Sequence, residues 1–241
     1  MTATLEAPQA LRQESSRPIP LTRLTVVELR KLADTRAGLW LLIIIGLATV
    51  GTSALMLGWA PDEELRFADF FAFGLVPSAV LLPILGILSM TGEWSQRTAL
   101  TTFTLVPARE RVIAAKLIAG VLIAIASTAA SALLSIVANL LGRAFGGDGS
   151  WRIEGELLWQ GTLLQVLFVL MGLGVGALLL NTPLAIVTFF ALPMVWTVLG
   201  ETIKALRTAA EWLDINITTA ALSEPDMTGG EYARLGVSAA V

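Results

Sequence analysis

Apolar residues run along this chain in five long blocks separated by short polar intervals, and the blocks show neither the alternation of strands nor the one-sided stripe of a surface helix. Blocks of this length match the 30 Å hydrocarbon core of a bilayer. They predict transmembrane helices at about 39–59, 70–90, 112–141, 157–180 and 184–206. Ahead of them, residues 21–37 place Leu21, Leu24, Leu29 and Leu32 on one broad helical face and Arg23, Arg30 and Asp34 opposite, the pattern of an interfacial helix. The expected fold is therefore an all-α polytopic membrane protein, with an interfacial helix, five complete spans and a sixth that is incomplete in this chain. A cytosolic tail at 1–20 precedes a single transmembrane domain at 21–241, in which an outer amphiphilic segment (207–231) leads to the start of a sixth span (232–241).

The second block contains Pro77 and Pro83, which suggest a helix facing other protein rather than lipid, because neighbours must compensate the lost amide donors. In the third, Ser127, Ser131, Ser135 and Asn139 recur at intervals of four and form one polar stripe. That stripe reads either as packing glue in an Ala-rich interface or as the lining of a substrate path. Gly172 and Gly176 in the fourth block form a GxxxG pair that lets two helices approach closely. The GGDG at 146–149 reads as a turn, not a phosphate cradle.

Composition agrees with the pattern: 55% of residues are hydrophobic and 15% charged, with a mean hydropathy of +0.76. The absence of cysteine and histidine removes disulfides, thiol chemistry and imidazole bases, and makes a protein-built metal site improbable. No catalytic residue and no metal ligand is assigned. A net charge of −3 without a basic stripe argues against a nucleic-acid partner. Ten of the 16 lysines and arginines precede the first span or lie in the interval from Thr91 to Lys116, so these regions are expected inside and the N-terminus cytosolic.

The long polar interval Thr91 to Lys116 (TGEWSQRTALTTFTLVPARERVIAAK) is thus the main surface offered to a soluble partner. It holds an amphiphilic element of undecided type, TALTTFTLV, and Pro107 marks a helix start running into the third span. Arg109, Arg111 and Lys116 read either as positive-inside anchors or as contacts for an acidic partner face. Glu28 falls among the leucines of the interfacial helix; it either snorkels or pairs with Lys31 three residues on, or it meets an arginine of this interval. The three lysines follow no phosphate-loop glycine, and no span carries a central charge, so neither ATP hydrolysis nor ion coupling is expected within this chain.

Glu93, Thr98, Pro107, Arg109, Arg111 and Lys116, spaced E-x4-T-x8-P-x-R-x-R-x4-K, enter a long third span in a manner that resembles the ABC-2 family of ABC transporter permeases. Arg97 stands where such permeases often have glycine. The resemblance implies a half-transporter of the plasma membrane that pairs with a second permease subunit, the same or different. Two separate cytosolic ATPase subunits would bind ATP and Mg; this chain would be neither an enzyme nor a holder of cofactors. Coupling to them would involve Glu28, Glu93, Arg97, Thr98, Pro107, Arg109, Arg111 and Lys116. The substrates implied are hydrophobic or amphiphilic: drugs, antibiotics, peptides, lipids or glycans. The alternative from the residues alone is a non-transporting membrane scaffold or sensor that recruits a soluble partner through the same interval.

Overall fold

The structure is a computed structural model that describes residues 19–106, 108–151, 155–203, 206, 209, 212–220, 222 and 227–240. Most of the expected tail, Pro107 and much of 207–231 lie outside these residues. The described residues form helices α1 (Leu21–Asp34), α2 (Arg36–Trp59), α3 (Phe67–Ser95), α4 (Ala99–Leu105), α5 (Arg109–Ala144), α6 (Gly155–Leu179), α7 (Thr182–Thr202), α8 (Ile215–Ala220) and α9 (Gly229–Ala240), plus a 3₁₀ turn at Asp62–Glu64. Five of them, α2, α3, α5, α6 and α7, are long and apolar enough to cross a membrane. The protein is a multi-pass membrane protein.

Helix α3 is the hub. Half of its apolar window is buried, against 11% for α7, and it packs against α1, α2, α5, α6 and α7. Its side chains form the core in layers. Phe67, Phe71 and Leu75 sit at one end against α5 and α6, Leu82 meets Val169 and Leu173 in the middle, and Leu85 meets Leu32 and Ala119 at the other end. Around Pro77 the carbonyls of Gly74 and Leu75 receive side-chain donors from three neighbouring helices. Thr49 of α2 and Ser131 of α5 each donate to Gly74 at 3.3 Å, and Gln165 of α6 donates to Leu75 at 3.1 Å. Burial of a proline-bearing helix among donors is what an apolar surrounding demands of two internal prolines.

The α3–α6 contact is the most extensive between the described helices, and glycine makes it possible. A Cβ on Gly172 would lie 2.3 Å from the Pro83 carbonyl oxygen, and one on Gly176 would lie 3.1 Å from the Ile87 backbone. The GxxxG pair therefore faces protein backbone. Ser131, Ser135 and Asn139 are buried inside the same bundle and Ser127 is half-buried; Ser135 donates to the Ser131 carbonyl at 2.7 Å. Ser131 also donates across to the Gly74 carbonyl of α3 at 3.3 Å.

At the opposite end from α1, the segment after α5 turns back over the α2–α3 connection. Gly146 and Gly149 have positive φ, Asp148 and Gly149 donate backbone bonds to Asp62 and Leu65, and Arg66 pairs with Asp148 at 2.9 Å. GGDG is a turn.

Two expectations shift. The fifth span ends at Thr202 rather than near 206, because Ile203 is extended, and the second runs on to Ser95 through Glu93. The segment expected to begin a sixth span forms α9, whose first turn is closed by Thr228 and Glu231: the Thr228 N–H and hydroxyl donate to the same carboxylate oxygen at 2.6 and 2.8 Å.

Candidate functional site

The site assembles where α1, the end of α3 and the start of α5 meet. Helix α1 stops at Thr35, whose extended backbone and side-chain bond to the Gly38 amide cap α2 and turn the chain sharply. Gly38 permits the turn: a Cβ there would sit 1.9 Å from the Leu32 carbonyl oxygen. This folds α1 back onto the bundle and buries Thr25, Glu28 and Leu32, one helical face.

Glu28 thereby arrives among charges. Lys31 donates to Glu28 Oε1 at 2.7 Å and to Glu93 Oε1 at 2.8 Å. Lys116 donates to Glu28 Oε2 at 2.7 Å, to the Ser89 carbonyl at 2.8 Å and to Glu93 Oε1 at 3.3 Å. Two carboxylates and two ammoniums alternate in a closed, electrically neutral knot joining three helices. The Glu28 and Lys116 side chains are each 6% exposed, whereas Lys31 keeps 42%. Burial alone would lower the Lys31 pKa, but its hydrogen bonds and charges from Glu28 and Glu93 together outweigh that, and the pKa rises above 10.5.

Both readings of Glu28 thus meet in one place, except that its distant partner is a lysine, Lys116, and not an arginine. Lys31, recognised only as a neighbour of Glu28, is a full member of the site. The i, i+3 spacing was its signal, and nothing local could have shown the bond to Glu93, which crosses 62 positions.

Arg97 and Thr98 belong to the end of α3. The Thr98 amide donates to the Glu93 carbonyl at 2.9 Å and the Arg97 amide to the Trp94 carbonyl at 3.1 Å, while Arg97 takes φ of 59°. This is a Schellman ending with arginine at the left-handed position that usually holds glycine. The chain then makes α4, so TALTTFTLV is helical, with Leu100 and Leu105 exposed at 80% and 72%. Arg109 and Arg111 lie in the first turn of α5, exposed and half-buried respectively; neither forms part of the knot. Pro107 lies outside the described residues.

Between α1 and α4, above the knot, opens a pocket of about 570 Å³ whose wall is mostly aliphatic. Nearby, the hydroxyls of Thr91 and Thr182 meet at 2.7 Å and tie α3 to the start of α7. Among the described residues no group of three or more acidic side chains could hold a metal ion.

No family model, curated protein or solved structure matches this chain. The functional reading therefore rests on the residues and their geometry.

Proposed function

We propose that this chain is the membrane subunit of an ATP-driven exporter of the ABC-2 type. It would reside in the cytoplasmic membrane with α1 and α4 inside, and move a hydrophobic or amphiphilic substrate. The observation that carries the reading is the knot: Glu28, Lys31, Glu93 and Lys116 clamp the helix before the first span to the interval before the third. A force applied at that interval would reach three helices together, while the exposed α4 stands beside them as a contact for a soluble motor. No central charge interrupts the spans, and the chain has no phosphate loop. Power would come from two separate ATPase subunits carrying ATP and Mg, and the permease would pair with a second copy or a related chain.

The test is reconstitution of the chain with a co-expressed ABC ATPase in inverted membrane vesicles. Export predicts co-purification of the two and ATP-dependent accumulation of an amphiphilic dye, both lost in Leu100→Asp. Purification without any ATPase, together with no ATP-dependent accumulation, overturns the reading. If Arg109→Glu with Arg111→Glu abolishes recruitment in a chain that moves nothing, the scaffold reading replaces it.

A further inference from the structure

The knot is neutral, but its hydrogen-bonding capacity is not used up. Lys116 spends its three N–H groups on Glu28, Ser89 and Glu93. Lys31 spends two on Glu28 and Glu93, and with 42% of its side chain exposed one donor remains. Glu93 accepts both lysines on Oε1, and its second oxygen has no bond among the described residues. Both residues line the pocket. Its floor therefore offers one cationic donor and one anionic acceptor side by side, while Leu24, Val27, Leu85, Leu105 and Val112 supply aliphatic walls.

We infer that this pocket binds an aminophospholipid, with the phosphate against Lys31 and the primary ammonium against the free Glu93 oxygen. A head with only a negative charge satisfies Lys31 but sets its charge against Glu93. A quaternary ammonium has no N–H to give Glu93. A primary ammonium beside a phosphate matches both groups, and the aliphatic walls receive the upper acyl chains. The volume, about 570 Å³, lies within the range of small-molecule sites and accommodates a head group with the first part of its chains. A lipid source is favoured over a soluble zwitterion by those walls and by the position of the pocket at the ends of the membrane-spanning helices α3 and α5. The inference does not depend on the export reading.

Native mass spectrometry of the full chain in detergent, titrated separately with dioleoyl phosphatidylethanolamine, phosphatidylcholine and phosphatidylglycerol, tests it. The ethanolamine lipid should bind about tenfold more tightly than either competitor, the effect of one charge-assisted hydrogen bond. Thr102→Trp, which fills the α4 side of the pocket without touching the knot, should abolish the preference while the far-UV helical signal is kept. Equal retention of the three lipids by the wild-type chain overturns the inference whether or not that variant folds. So does an unchanged preference in a folded Thr102→Trp. Complete displacement by soluble phosphoethanolamine at matched concentration overturns the lipid source.

Discussion

Replacing Lys116 by methionine keeps the aliphatic stem and removes three hydrogen bonds at once. The two carboxylates it served would then share only Lys31, and the knot would carry a net negative charge. Glu28 is 6% exposed, so water cannot screen it. Breaking one partner out of a buried pair costs about 3–5 kcal/mol, which we expect for Lys116→Met. Lys31→Met removes two bonds to the same carboxylates, but Lys116 still holds both and water reaches the place of a side chain that is 42% exposed, so we expect a smaller loss of about 1–2 kcal/mol. The double variant Glu28→Gln with Lys116→Met removes the orphaned charge and should recover about 2 kcal/mol relative to the sum of the two single losses. Equilibrium unfolding in mixed micelles, followed by far-UV circular dichroism, measures the wild type, the three single variants (Glu28→Gln among them) and the double variant. If Lys116→Met costs no more than Lys31→Met, or if the double variant shows no recovery, the reasoning from burial is wrong.

The α3–α6 contact gives a matched pair of variants. Gly172→Ala forces a Cβ against the Pro83 carbonyl and should cost about 2 kcal/mol or more in micellar unfolding, whereas Gly174→Ala meets nothing within 4 Å and should be neutral or stabilising by up to about 1 kcal/mol. Arg97→Gly should raise stability by about 1 kcal/mol, because arginine sits at φ of 59°; a fall in the melting temperature would contradict the Schellman assignment. Gln165→Leu removes one of the two side-chain donors to the Leu75 carbonyl and the donor to the Ser78 hydroxyl and should cost about 1–2 kcal/mol in the same unfolding assay. Since the Lys31 pKa is raised, its contribution is complete below 10.5 and is lost as pH rises through the higher folded value. The stability difference between wild type and Lys31→Met should accordingly stay flat from neutral pH to about 10.5 and shrink only above it.

The spans were legible because hydrocarbon imposes length and composition on any helix that crosses it. Their ends were not, since apolar character stops before the helix does in α2 and α3 and outlasts it in α7. Arg36 and Glu93 continue α2 and α3 past the apolar blocks, where backbone bonding and capping decide. The undecided element before Pro107 was ambiguous because its threonines are compatible with strand or helix; the Arg97 turn that aims α4 could be suspected only from an arginine in a glycine position. Glu28 was conspicuous as a carboxylate among leucines, and its i, i+3 neighbour followed from helical geometry. Lys116 was already a candidate from its place in the polar interval, but its pairing with Glu28 was hidden for a different reason. It stands 88 positions away, and choosing a lysine over the arginines of the same interval requires the register of α5 against α1.

The donors that satisfy α3 come from different moments of synthesis. Glu28, Lys31, Glu93 and Lys116 all emerge by the start of α5, so the knot can close while the ribosome is still making the rest of the chain. Ser78 donates to the Leu75 carbonyl from within α3, but the second donor, Gln165, comes only with α6, as does Gly172, whose backbone packs closely on that of Pro83. Until then the middle of α3 lacks its most extensive packing partner and faces lipid or the insertion machinery. Biogenesis thus divides into an early clasp at one membrane face and a late sealing of the bilayer interior. Chains arrested after α5 should be held by the insertase longer than chains that include α6.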